Sequence, residues 1–211
     1  MTIDDIIADR HIEEVLHFTT NRGLTGILAS GVVKPRKRLP LDKRLEYVYK
    51  DNCPDRSRDI AWHDYVNLSI TNVNYRLFEI SMRKWHSGTD DWWCILCFSP
   101  VVLEHQSVYF TTTNNIYTDV RRAEGPTGLE NMFADRVSRW GGNVVNREPS
   151  SPANQPTCNQ AEVLYMGDLS IEHLERVYVE NGDTASAVES IVDVLDSVPD
   201  FDCIVRPELF D

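Results

Sequence analysis

Apolar and polar positions along this chain fall into two alternating spacings. Val15, Leu16 and Phe18 make a short extended run that ends in Thr19, and Leu24, Ile27 and Leu28 then recur at helical spacing until Gly31 stops them. Asn21 stands where a helix N-cap belongs. Residues 4–14 read as a short helix before this pair, and Val32-Val33 opens another extended piece after it. Residues 34–60 are polar and irregular, with Leu45, Tyr47, Val48 and Tyr49 marking at most one short helix. Strand-like alternation resumes over 62–70, and residues 76–84 read as helix. Further strands are expected at 93–99, 107–111, 161–165, 174–179 and 201–205, with helix over 184–195 and a helical or turn segment from Leu129 to Phe133. Thr111-Thr112-Thr113-Asn114-Asn115 is a turn-forming cluster. From Gly141 to Asn159 the chain is rich in Gly, Pro, Ser and Asn, a loop longer than plain connection requires. There is no repeat, and the pattern predicts one α+β domain over residues 1–211.

Composition narrows the class. At 211 residues, with 42% hydrophobic and 26% charged residues, the chain has the balance of one globular domain with a full core. No apolar run has membrane-spanning length. Met1-Thr2-Ile3-Asp4-Asp5 lacks the apolar region of a signal peptide, so a cytoplasmic location without membrane association is expected. Five cysteines, Cys53, Cys94, Cys97, Cys158 and Cys203, are an odd count that favours free thiols. Cys94-Ile95-Leu96-Cys97 has the form of a zinc or redox pair. It lies inside an apolar strand, no second pair has ligand spacing, and burial in the core is the better reading, with no metal implied. The net charge of −12 disfavours a broad grip on duplex nucleic acid but is compatible with an enzyme that touches a few phosphates of a single strand. The basic residues Lys34, Arg36, Lys37, Arg38, Lys43, Arg44, Lys50, Arg56 and Arg58 concentrate in one window, ordinarily a solvated face.

Two motifs carry candidate chemistry. His17-Phe18-Thr19 closes the first strand, and Gln160-Ala161-Glu162 opens the strand at 161–165. Alone, Glu162 reads as an exposed strand residue and His17 as a core histidine bonded to backbone. Together they resemble the two halves of an ADP-ribosyltransferase site, which cleaves NAD at its nicotinamide bond. Trp62-His63-Asp64-Tyr65-Val66, Val108-Tyr109-Phe110-Thr111-Thr112 and Cys203-Ile204-Val205-Arg206 complete an ordered set that is similar to the DarT-like family, toxins that ADP-ribosylate nucleic-acid bases.

That resemblance implies an ADP-ribosyltransferase-like fold, a split mixed β-sheet core with peripheral helices. It implies NAD as co-substrate, Glu162 as the catalytic carboxylate, and His17, Thr19, Asn21 and Leu24 as the NAD-binding set. A carboxylate beside the ribose gains effect as positive charge develops on the sugar. His63, Asp64, Tyr65 and Gln160 are implied to line the acceptor site, with the loop 141–159 reading the substrate. Thymine-modifying members carry an arginine pair before the His-Asp-Tyr-Val signature; here Arg56-Ser57-Arg58 stands in that region, so Arg56 and Arg58 are the candidate catalytic arginines. Asn67-Leu68-Ser69 replaces the family's usual Pro-Phe-Tyr, and the acceptor base is thymine or guanine. The expected acceptor is single-stranded DNA, because pairing hides a base's reactive edge. RNA, a protein acceptor, and a non-catalytic binding module are the alternatives. A toxin–antitoxin or phage-defence setting, with a cognate antitoxin, follows from the same resemblance.

Overall fold

The computed structural model describes residues 1–39, 57–87 and 90–210. The short helix expected around Leu45–Tyr49 lies outside them, as do Cys53 and Arg56.

Helix α1 (Ile3–Arg10) opens with a capping box, in which Thr2 and Asp5 exchange side-chain and backbone hydrogen bonds, and it ends at His11 in the left-handed region. Strand β1 (Val15–Thr20) runs directly into helix α2 (Asn21–Ser30). Thr20, not Asn21, caps that helix: its hydroxyl accepts the Gly23 N–H at 3.3 Å while its backbone stays extended. A β-branched residue with a hydroxyl can finish a strand and cap a helix at one position. Gly31, at φ 73, ends α2 as expected. Helix α3 (Tyr75–Ile80) continues into a π-helical turn over Ser81–Trp85, followed by α4 (Gly125–Asn131) and α5 (Gly182–Asp193).

The remaining strands are β2 (Val32–Val33), β3 (Tyr65–Ile70), β4 (Trp93–Phe98), β5 (Val108–Thr111), β6 (Arg122–Glu124), β7 (Arg136–Ser138), β8 (Val144–Asn146), β9 (Glu162–Met166), β10 (Leu169–Ser170), β11 (Leu174–Val179) and β12 (Asp202–Val205). Seven of them join β1 in one eight-stranded sheet, in the spatial order β12-β11-β4-β1-β3-β9-β5-β6. The β11–β12 pair is parallel and its neighbours are antiparallel, which makes the sheet mixed. The stretch read as a loop from Gly141 onward contains β8, which pairs with β7 as a small hairpin. Such three-residue strands are too short to show a period in sequence.

One irregularity places the site. β1 pairs with β4 along its whole length, from Val15↔Phe98 to Thr20↔Trp93, but with β3 only at Val15↔Ile70 and Leu16↔Ser69. Beyond Leu16 the sheet is split. One face carries the main core, including Val15, Leu68, Leu96, Phe98, Phe110 and Val163, covered by helices. A second cluster of Leu16, Phe78, Trp93, Ile95, Tyr178 and Phe210 covers the opposite face at the β1–β4–β11 end. Cys94 and Cys97 are fully buried free thiols, and burial pushes Cys97 up to about 11 and Cys94 higher still, so both are core residues. Among the described residues no helix is long and apolar enough to cross a membrane.

Candidate active site

The split is occupied by His17. Its Nδ1 lies 3.0 Å from the Asn67 carbonyl oxygen. A carbonyl only accepts, so Nδ1 holds the proton and Nε2 keeps a bare lone pair. Burial holds His17 below its ordinary value, outweighing the opposite pull of the Asn67 carbonyl, and the ring is a neutral acceptor. Thr19 is buried against Gly23, where a Cβ would stand 2.0 Å from the Thr19 hydroxyl oxygen; only glycine allows this approach. Asn21 donates its backbone N–H to the Trp92 carbonyl at 2.9 Å, and its Oδ1 is buried with no hydrogen-bond partner among the described residues. Arg22 pairs with the buried Asp91 at 3.2 Å, and Asp91 also meets His86 at 2.9 Å. Leu24 is wholly buried in the main core, so it holds α2 against the sheet.

Glu162 begins β9 and is only 5% exposed. Its backbone N–H donates to the Thr111 hydroxyl at 3.0 Å. One carboxylate oxygen accepts the Asn115 N–H at 2.7 Å, and the other accepts the Asn67 side-chain NH2 at 3.4 Å. Asn67 therefore joins both halves of the site, bonding His17 through its backbone and Glu162 through its side chain. Asn115 is gripped in turn by Arg122, whose Nε donates to its side-chain oxygen at 2.5 Å and whose terminal nitrogen donates to its carbonyl. Burial draws Arg122 below its ordinary value, and the Glu162 charge opposes this. The turn-forming Thr-Thr-Thr-Asn-Asn cluster is thus the element that grips the carboxylate. Sequence reasoning saw the turn but not the role of Asn115 or Arg122.

Gln160 is buried, and its side-chain oxygen accepts both Arg139 at 2.6 Å and the Tyr117 hydroxyl at 3.1 Å. This double contact fixes which end of the amide is oxygen. Asp64 faces Arg38 at 2.6 Å and Lys37 at 3.6 Å, and the Arg38 hydrogen bond holds its carboxyl below the usual range. The His63 carbonyl accepts the Lys37 N–H at 2.8 Å. These two signature residues fasten the 36–38 segment. Tyr65 lies on the Glu162 face of the sheet, since its partner Met166 is four residues along β9 from Glu162. Arg58 is exposed on the 3-10 turn Ser57–Trp62, with no ion pair among the described residues. The structure thus links His17 and Glu162 through Asn67, and sets His63 and Asp64 against another segment. Among the described residues, no three His, Cys, Asp or Glu side chains converge to hold a metal ion.

The arrangement offers a neutral acceptor, a fixed carboxylate and a break in the β1–β3 ladder. The family model described as DarT, ssDNA thymidine ADP-ribosyltransferase, matches residues 16–211. Among solved structures, Thermus sp. 2.9 DarT in complex with NAD+ is similar with a TM-score of 0.67 and 16% identity, over 94% of this chain and 98% of that one. Thermus sp. 2.9 DarT in complex with ADP-ribosylated ssDNA is similar with a TM-score of 0.68 and 15% identity, over 95% and 97%. Thermosipho africanus DarTG in complex with ADP-ribose is similar with a TM-score of 0.57 and 12% identity, over 94% of this chain and 51% of that one. At such identities the likeness shows the fold, the expected α+β ADP-ribosyltransferase arrangement. No curated protein matches the chain.

Proposed function

We propose that this chain, which belongs to the DarT family of ssDNA thymidine ADP-ribosyltransferases, acts as one domain that splits NAD and transfers ADP-ribose to thymine in single-stranded DNA. The observation that carries the reading is the link through Asn67 between a neutral His17 and a held Glu162 where the β1–β3 ladder breaks. Similar DarT structures with NAD+ and with ADP-ribosylated ssDNA support the two substrates.

In this reading the Nε2 of His17 accepts a ribose hydroxyl, and Thr19 holds the nicotinamide amide. Asn21 offers its buried, unpartnered oxygen to the same ligand. The bond from the ribose anomeric carbon to nicotinamide breaks, and its electron pair leaves with the nicotinamide. Glu162 stabilises the cationic sugar, an effect that grows toward the transition state because the carboxylate is already oriented by Asn115 and Asn67. A thymine ring nitrogen gives up its proton to solvent and attacks the anomeric carbon. Arg58, on the turn leading to Trp62, and Arg56 before it are the groups proposed to favour the deprotonated base. Gln160, with its amide fixed by Arg139 and Tyr117, reads the acceptor. The setting we infer is cytoplasmic, with a cognate antitoxin that blocks the toxic modification.

The test is labelling with NAD on thymine-containing single-stranded DNA, on RNA, and on a protein mixture, using Glu162→Gln as the control. Label is expected on DNA alone, lost when thymine is replaced, and reduced by about 10²- to 10³-fold or more in Glu162→Gln. Label on guanine-only DNA, on RNA or on protein would refute the acceptor assignment. Undiminished labelling by Glu162→Gln would remove that residue from the mechanism.

A further inference from the structure

The sheet register puts more than the proposed catalytic carboxylate on one face. Asn67 lies opposite Leu164, Tyr65 opposite Met166, Tyr109 opposite Leu164, and Thr111 opposite both Glu162 and Arg122. Because side chains alternate across a strand, Tyr65, Asn67, Tyr109, Thr111, Arg122 and Glu162 share one face. Tyr109 lies two residues farther along the sheet than Thr111, about 7 Å from the level of Glu162.

Trp62 joins the two tyrosines there. Its ring centroid is 4.9 Å from that of Tyr65 and 5.3 Å from that of Tyr109, and the two tyrosine centroids are 6.0 Å apart. The Arg122 guanidinium sits 5.5 Å from the Trp62 ring. All three rings are half-buried, and none belongs to either apolar core cluster. Met166 beside them is 44% exposed. Glu124 holds the Tyr109 hydroxyl from the rim. Three large rings outside the core, one pair tilted and two packed edge to face, and beside a cation, form a preassembled stacking surface.

Charge argues for the kind of occupant. A chain of net charge −12 gains little from a general attraction to phosphates. Stacking between bases and aromatic rings needs no such attraction and tolerates any base. We propose that Trp62, Tyr65 and Tyr109 form a platform for the acceptor-strand base next to the one modified, with Arg122 at the edge beside the strand backbone. This inference rests on transfer to single-stranded DNA and names how that strand is held in register with Glu162.

The experiment measures transfer kinetics on an oligonucleotide with one thymine, and on versions with an abasic residue immediately 5′ or 3′ of it. The enzymes are wild type, Trp62→Ala, Trp62→Phe and Tyr109→Ala, each checked for folding by thermal unfolding. Trp62→Ala is expected to raise the KM for the intact oligonucleotide by about tenfold or more, and Trp62→Phe to restore most of the loss. One abasic position should raise the wild-type KM similarly, with Trp62→Ala then adding little. Wild-type KM in both alanine variants, or losses that multiply fully with every abasic position, would overturn the platform. If Trp62→Ala does not fold, an unchanged wild-type KM on both abasic oligonucleotides is the refuting result. A wild-type enzyme that labels no oligonucleotide would sink the proposed reaction itself, a different failure from a labelled oligonucleotide indifferent to its flanking bases.

Discussion

Exchanging Asn67 for aspartate replaces one NH2 with an oxygen of nearly the same size. It converts the 3.4 Å contact with Glu162 from an attraction into a meeting of like charges. At an effective dielectric constant of about 20, two unit charges at that spacing repel by about 5 kcal/mol. At 1.36 kcal/mol per pH unit this corresponds to an upward shift of about three and a half units for the pair. The Asn115 N–H on the other carboxylate oxygen and the partial exposure of residue 67 reduce it, leaving a shift of about two units. The two carboxylates then share a proton near neutral pH, which removes the charge that stabilises the cationic ribose. The His17 contact survives, because it goes to the backbone carbonyl. The assay is kcat/KM for transfer from about pH 5 to pH 10. The acid limb of Asn67→Asp should move up by about two units, with activity recovering in alkaline buffer. Asn67→Ala, which loses one long hydrogen bond, should cost about fivefold with the limb unmoved. A profile for Asn67→Asp that superimposes on wild type would show that residue 67 does not govern the carboxylate, and the account of the site would fail.

Two further expectations test the proposed NAD-binding half. His17 is held below its usual 6.5, so the unfolded chain takes up its proton first. The stability it confers is therefore complete above about pH 6.5 and falls as pH drops through the window between that value and the folded one. Denaturant unfolding at a series of pH values should show this slope in wild type and a shallower one in His17→Gln, and identical slopes would exclude the half-buried neutral ring. Gly23→Ala drives a methyl group into the Thr19 hydroxyl oxygen, an overlap expected to cost about 1–3 kcal/mol and to weaken NAD binding. A higher melting temperature, as helix propensity alone would give, would contradict that packing.

Much of this was legible in the sequence because it depends on local period. The His17–Thr19 strand, the stop at Gly31, the β11 limits and the burial of the Cys94–Cys97 pair follow from apolar spacing and flanking turn residues. Gln160 and Glu162 stood out as a motif at a strand mouth. What was not legible depends on contacts distant in the chain. Glu162 is held by Asn115 and Asn67, 47 and 95 residues away, and neither asparagine carries a local signature of that task. Arg122 stands in a three-residue strand too brief to announce itself, and β8 is hidden in a stretch rich in Gly, Pro and Asn. Asp64 belongs to a recognisable signature, yet its ionic partner Arg38 comes from a basic run that reads as plain surface.

The seam between β1 and β3 has a mechanical meaning. Among the described residues the β1–β3 ladder stops at Leu16↔Ser69, and just beyond it the His17 imidazole meets the Asn67 carbonyl. A dinucleotide bound there, as proposed, acts as a pin that fastens the two half-sheets. The reaction cuts that pin. In that reading the break that makes product also removes the tie between the two half-sheets.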